Sequence, residues 1–424
     1  MTLVDTEPQQ RVLDQDLIQE TSEWLMDQAL RDHDIQTIIT GCCERLVAAG
    51  IPLLRCFFAF SMIHPLYRAV GYTWLRGSGI TVNKYLHEPD GSQPTGWQTS
   101  PFGRMVRDQV TWMRRMISEE TADEFPVFRD LLEAGAVDYF AFMIPFQDAA
   151  EADMRGMAGS WSTDRPEGFF DEEVKALKKV QRRLAVACKM AVRTNLASIV
   201  VKTYLGAQAG NRVLSGQIKR GDGETIRAAI WYADMRGSTR LADLLSRQDY
   251  IDTLNEYFDM VASEVVAAGG EVLSFIGDAV LAIFPDDADT GCRSALGAAL
   301  KARHRLITNN DKRAALGRAP LDCVIGLHLG DVMFGNVGVP DRLTFSVFGA
   351  AVNEVARLEQ LCKALGEPIL ASEEFRCCLE GYWRPVGEHM LHGFTNAIGV
   401  FAPDPKVCAN ELATPGEPLA WATK

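Results

Sequence analysis

The 424-residue chain has no Cys-x-x-Cys pair, no uninterrupted run of eighteen apolar residues and no excess of basic residues. Each absence excludes something. The ten cysteines are scattered, and the neighbours Cys42–Cys43 and Cys377–Cys378 do not bridge each other. No metal-ligand spacing and no disulfide framework is expected, only reduced thiols of a cytoplasmic protein. Without the long apolar run no membrane-spanning helix is expected. The start, MTLVDTEPQQRVLDQDL, has neither a basic segment nor an apolar one, so no secretory signal is read there. Acidic residues outnumber basic ones, 56 to 43, for a net charge of -13. That balance argues against a nucleic-acid surface and for a soluble protein. What is present is apolar mass: 47% hydrophobic residues, enough for packed cores, in a chain long enough for two domains.

Taken in order, residues 1–15 are polar and read as disordered. From Asp16 to Ala49, Leu17, Ile18, Trp24, Leu25, Ile38, Ile39, Leu46 and Val47 recur at helical spacing, and Gly50 stops the pattern. Strand-like LLRCFFAFSMI and AVGYTWLRG follow, then a long loop, HEPDGSQPTGWQTSP. A helix is expected over 126–134, its proline in the first turn. VDYFAFMIPF and MRGMAGSWST read as two more strands. This order resembles a GAF-like sensory domain, in pattern only. Trp74, Trp97, Trp112, Tyr139 and Phe140 are core or pocket residues, and His64 and His87 are structural or ligating. A closing helix starts at Asp171, as its N-cap, and runs past Ala197. Its apolar positions Leu177, Val180, Leu184, Ala187 and Ala191 step by three and four, a heptad seam suited to a parallel two-stranded coil or to packing on its own domain. Glycines recur between Val200 and Thr225, which places a domain joint there.

The stretch from Ala229 to Pro285 carries the chemistry. Each end is an apolar, strand-like run holding one carboxylate, Asp234 in AIWYADMRGST and Asp278 in FIGDAVLAIFP. A lone Asp in such a run is costly unless a cation meets it. Two brought together on neighbouring strands call for a divalent cation. The plainer alternative makes Asp234 a helix cap and puts Asp278 in a Gly-Asp hairpin turn.

YADMRGST, FIGDAVLAIFP, IGLHLGDVMFGNVG and VFGAAVNEVARLE, in that order, resemble the successive motifs of the class III adenylate/guanylate cyclase catalytic domain, over about residues 225–402. The resemblance implies a ferredoxin-like core, a head-to-tail homodimer with two active sites at the interface, and conversion of a nucleoside triphosphate to a 3′,5′-cyclic monophosphate and pyrophosphate. It makes Asp234 and Asp278 the metal carboxylates, with the Met235 carbonyl as a further ligand to Mg²⁺ or Mn²⁺, two ions per active site. The turn of Gly237, Ser238 and Thr239 opens a helix whose N–H groups suit phosphate oxygens. Asn353 and Arg357, four apart on one helix face, match the transition-state pair, lent by the subunit opposite the carboxylates. Their plainer reading is an Arg357–Glu354 ion pair and Asn353 as a cap. His328 reads as a packed strand residue.

The chain departs from the family where purine choice is made. Ser274 stands four residues before the hairpin Asp, and Ser346 stands before VFG. A hydroxyl donates and accepts, so it serves either purine edge. His392 falls at the place resembling a triphosphate-binding Lys. The expected organisation is α+β: a disordered 1–15, a GAF-like α/β sensory domain at 16–170, a signalling helix and linker at 171–224, a ferredoxin-like class III cyclase domain at 225–402, and a tail at 403–424. The expected function is an adenylate cyclase acting on ATP, homodimeric through the catalytic domain and a helical stalk, and regulated by an unidentified small-molecule or protein signal. Its alternatives are a guanylate or relaxed-specificity cyclase taking GTP, and a catalytically weak nucleotide-binding signalling protein.

Overall fold

Asp14 and Asp34 open the first two helices, α1 (Gln15–Ala29) and α2 (Ile35–Ala48). Each carboxylate accepts a first-turn N–H, from Leu17 and from Thr37, both at 3.0 Å. The stripe read from Asp16 to Ala49 is therefore two helices, divided where Asp34 re-caps the chain. The computed structural model describes residues 13–31, 33–62, 66–88, 92–146, 156–285, 288–391 and 397–405. His64, His392 and most of both proposed tails lie outside the described residues. Contacts divide the chain into two units, residues 1–200 and 201–424.

In the first unit α2 leads to β1 (Leu53–Ser61), β2 (Tyr67–Leu75) and β3 (Gly79–Leu86). The expected loop after β3 contains one short helix, α3 (Thr95–Gln98), and leads into a second, α4 (Pro101–Arg107), capped by Ser100 with Pro101 in its first turn. Then come β4 (Trp112–Met116), α5 (Pro126–Glu133), β5 (Asp138–Pro145) and β6 (Gly156–Thr163). The six strands form one antiparallel sheet in the order β3-β2-β1-β6-β5-β4. Trp74, Tyr139 and Phe140 are buried in it, whereas Trp112 and His87 are exposed.

The closing helix is α6 (Asp171–Leu205). Asp171 is its first residue and not its cap; the Glu173 carboxylate reaches back to accept the Phe170 N–H at 2.8 Å. The heptad seam is not free to pair with a second chain. Leu177, Val180, Leu184 and Ala187 are 0–1% exposed and Ala191 is 8% exposed, all in the core beneath the sheet with Ile38, Phe58 and Trp161. The stripe found its partner in its own unit, so the expected coiled stalk is corrected to a packed helix. One window of α6 is long and apolar enough to cross a bilayer, although charged residues interrupt it. A third of that window is buried in the fold.

The second unit begins with α7 (Ala207–Leu214), β7 (Gly223–Met235), α8 (Ser238–Leu244) and α9 (Arg247–Ala267). The hairpin β8 (Glu271–Ile276) and β9 (Ala279–Phe284) follows, then α10 (Ala288–Ala315) and β10 (Cys323–Val339). The chain continues through β11 (Arg342–Phe348), α11 (Ala350–Leu365), β12 (Ile369–Ser372), α12 (Glu373–Cys377), β13 (Trp383–Met390) and β14 (Ala397–Pro403). The sheet order is β13-β14-β12-β10-β7-β9-β8, with β11 on β10. From β7 to β10 this is strand, helices, two strands, helix, strand, with β7 central between β10 and β9: the ferredoxin-like arrangement expected.

Period two on β7 sorts its side chains. Ala229, Trp231, Ala233 and Met235 pack against α9 and α10, while Ala228, Ile230 and Tyr232 face the side of α7 and α11. Both faces are buried, which is why the strand reads as a nearly unbroken apolar run. Full burial of a side chain such as Phe284 contributes roughly 1.5–3 kcal/mol.

Candidate functional site

The alternation that buries Ile230 and Tyr232 also decides where Asp234 points. It falls on the face of α11, at the end of β7. Asp278 lies beside it because Ala279 pairs with Asp234 across the β7–β9 ladder. The turn that presents Asp278 begins at Gly277, with φ of 65°, a backbone state that favours glycine. So Asp278 does sit in a Gly-Asp hairpin turn, and that turn is what aims it at Asp234. Asp234 is not a helix cap; Gly237 occupies that place for α8.

The helix α11 completes the cluster from above. It lies close to the sheet because β10 has glycines beneath it: a Cβ on Gly326 would stand 2.6 Å from the Val355 carbonyl oxygen, and one on Gly330 2.6 Å from the Ala351 Cβ. The descent brings the Lys363 ammonium onto the Asp234 carboxylate, and Lys363 also pairs with Glu359 at 2.8 Å. Burial raises the Asp234 pKa, the Lys363 bond opposes that, and the Asp278 carboxylate raises it further. Glu359 is raised for the same first reason. Burial works to lower the Lys363 pKa, but its bonds to Asp234 and Glu359 outweigh that and leave it raised.

Asp234 and Glu359 thus share one ammonium, and Asp278 stands beside Asp234 without a share in it. The Asp278 Oδ2 atom is buried and has no hydrogen-bond partner among the described residues. A buried, unpartnered carboxylate oxygen on a side chain beside a second carboxylate is a site short of positive charge. An oxygen-rich donor set of this kind fits a hard divalent cation, with Asp234 and Asp278 as the residues to hold it. Met235 is the last residue of β7; its side chain is buried on the opposite face, which leaves only its backbone for the role expected of it. Gly237, Ser238 and Thr239 form the first turn of α8, with Gly237 and Thr239 exposed.

Asn353 and Arg357 are on α11 but do not join this cluster. Asn353 is exposed, and the Arg357 Nη1 donates to the Gln360 Oε1 at 2.9 Å. Among the described residues no hydrogen bond or ion pair links either to Asp234 or Asp278. Nor do they take their plainer roles. Gly349 is the cap of α11, and Glu354 turns away from Arg357 towards His328, 3.4 Å from its Nδ1. His328 is packed, as expected, with Nδ1 also 2.8 Å from the Ser372 hydroxyl. Burial lowers its pKa to about 4, so the ring is neutral at physiological pH. Burial and the nearby Glu374 carboxylate raise Glu354 to about 7.

Ser274 is half-buried in β8 and Ser346 buried in β11, two strands that meet. Two cavities of about 400 and 380 Å³ lie against α2 in the first unit, near Glu44, Trp74 and Arg45; neither touches the carboxylates.

The family model described as "Adenylate and Guanylate cyclase catalytic domain" matches residues 223–397. Those residues form a class III cyclase catalytic domain. The chain is 35% identical to an adenylate cyclase of Anabaena cylindrica over 160 residues, 37% of this chain and 31% of that protein. It is 30% identical to adenylate cyclase 1 of Rhizobium meliloti over 178 residues, 40% of this chain and 26% of that one. It thus spans about a third or less of the length of these curated relatives. The solved adenylyl cyclase CyaB from P. aeruginosa is 24% identical, covering 43% of this chain and 95% of that one, with a TM-score of 0.40.

Within the cyclase domain, the two residues that sequence reasoning missed are Lys363 and Glu359. No local pattern marks them, because they reach Asp234 only through the seating of α11 on Gly326. The one available signal was helical spacing: Glu359 and Lys363 are four apart, six and ten residues after Asn353 on the same helix.

Proposed function

We propose that the protein is a metal-dependent, homodimeric adenylate cyclase that converts ATP to 3′,5′-cyclic AMP and pyrophosphate. The observation that carries this is the Asp234–Asp278 pair, half-sunk at the sheet end with an unpartnered buried oxygen. The ribose 3′-hydroxyl gives up its proton to solvent water and its oxygen attacks the α-phosphorus in line. A new P–O bond forms, and the bond to the pyrophosphate oxygen breaks. Mg²⁺ or Mn²⁺ held by Asp234 and Asp278 would lower the pKa of that hydroxyl and take up triphosphate charge.

The chain's own groups do the rest. Arg357 of a second copy faces the α-phosphate and holds the charge that grows there, and Asn353 beside it orients the ribose. The exposure of Asn353, and the separation of both from the carboxylates of their own chain, support this division between two copies. The choice of ATP rests on the relatives named adenylate cyclase. Ser274 and Ser346 favour a second reading, relaxed purine choice, since a hydroxyl penalises neither base strongly. The test is mass-spectrometric identification of the product from all four nucleoside triphosphates with Mn²⁺. Cyclic AMP should dominate, with cyclic GMP formed less than about a hundredfold more slowly. Tight nucleotide binding with no cyclic product would overturn the enzyme reading in favour of a nucleotide-binding signalling protein.

The first unit is the regulator in this reading. Its six-stranded antiparallel sheet, flanked by α1, α2 and α6, supports a GAF-like sensory role. Removing residues 1–199 should shift the basal rate by about fivefold or more, the scale of ordinary coupling between sites. An unchanged rate would leave that unit without a part in output.

A further inference from the structure

A second cluster in the cyclase domain lies away from the carboxylate pair and has no part in the chemistry above. His328 projects from β10, Glu354 from α11 and Glu374 from α12. One ligand atom from each lies within 4.8 Å of the other two. The imidazole is 4% exposed, so it is fixed by packing. Neither glutamate has a lysine or arginine ion-pair partner among the described residues; each is paired only with this histidine. The nearest arginines are engaged elsewhere, Arg376 with Glu373 and Arg227 with Asp331.

We propose that His328, Glu354 and Glu374 form a binding site for a borderline divalent metal of the Zn²⁺ class. The distances decide the class. Two ligands at about 2.1 Å from a tetrahedral zinc ion stand about 3.4 Å apart. The Nδ1 of His328 and Oε1 of Glu354 are 3.4 Å apart, and Nδ1 to Oε2 of Glu374 is 3.9 Å. Glu374 is exposed at the edge of its helix and has the freedom to close the remaining gap. An imidazole with two carboxylates suits zinc and its neighbours, whereas Mg²⁺ wants near-octahedral oxygen ligands and keeps much of its water. On binding, the ion takes over the Nδ1 lone pair that the Ser372 hydroxyl now faces at 2.8 Å. That hydroxyl then turns to a carboxylate as an outer partner. The three ligands come from three separate elements, so the ion ties α11 to β10 and α12. Glu354 adjoins Asn353, so the pinned segment is the one that presents Asn353 and Arg357.

The inference stands whether or not the chain is a cyclase. Its test uses the full chain carrying Asp234→Asn and Asp278→Asn, stripped with chelator, so that the other metal site is silent. Titration with Zn²⁺ by calorimetry should show one tight site per chain, unmoved by millimolar Mg²⁺, and a higher melting temperature with zinc than without. Adding Glu354→Gln should weaken that binding by about tenfold or more. Glu354→Gln keeps the side chain's shape and removes one of two facing carboxylates, so its metal-free melting temperature should not fall. Glu374→Gln should weaken binding in the same way. Zinc binding unchanged in both glutamine variants, or no tight site in the parent, would overturn the proposal. Activity is a separate reading: loss of cyclic product in the wild type would bear on the proposed function and not on this site.

Discussion

Replacing Asp278 with alanine is expected to cut turnover by about three orders of magnitude while leaving the fold intact. The activity loss follows from removing one of the two carboxylates on which the cation site depends. Lewis-acid stabilisation is worth several kcal/mol, and each 1.4 kcal/mol is tenfold in rate. The intact fold follows from the side chain's surroundings. Its Oδ2 is buried without a partner, and its charge raises the pKa of Asp234. Removing it takes away no hydrogen bond of that oxygen and relieves a repulsion, so the melting temperature should hold or rise. A variant that unfolds would make Asp278 a structural element of the β8–β9 turn. Asp278→Asn separates the two effects: it keeps the size, loses the charge, and should be nearly as inactive.

Mixing Asp234→Ala chains with Arg357→Ala chains should restore activity that neither has alone. Each variant by itself should be about a thousandfold down or worse, the arginine because a fixed cation at a transferring phosphoryl group commonly contributes that much. In an equal mixture with free reassortment, half the dimers pair unlike chains. Each such dimer has one site with both defects and one with neither. The pool should then recover about a quarter of wild-type activity. No recovery at any ratio would mean that the carboxylates and Arg357 act within one chain. The structure makes that less workable, because Arg357 bonds to Gln360 and does not reach Asp234.

How much of this was legible in sequence depends on how local each feature is. The Asp234–Asp278 pair was legible because a strand and a hairpin fix it over a short span, and a carboxylate in an apolar run stands out. Gly326 and Gly330 act as notches for α11, a role that shows only when a helix lies across them. Lys363 was invisible for the same reason. The seam of α6 was legible as a stripe, but its partner was not. Leu177 and Leu184 present the same spacing whether they meet another chain or the sheet above Phe58. The division between α1 and α2 at Asp34 was missed because the apolar spacing resumes in nearly the same phase after the break, and only the cap marks it. The plainer reading pairs Glu354 with Arg357 by sequence proximity, whereas β10 supplies a histidine that no helix pattern announces.

The most direct measurement is a crystal structure of the full chain with Mn²⁺ and 3′-deoxy-ATP, which lacks the attacking hydroxyl, using the anomalous signal of manganese to place the ions. Manganese density between Asp234 and Asp278, with Arg357 of a second copy against the α-phosphate, is the predicted result. Manganese bound away from both aspartates, or a nucleotide held by one chain with no second copy near it, would contradict the account.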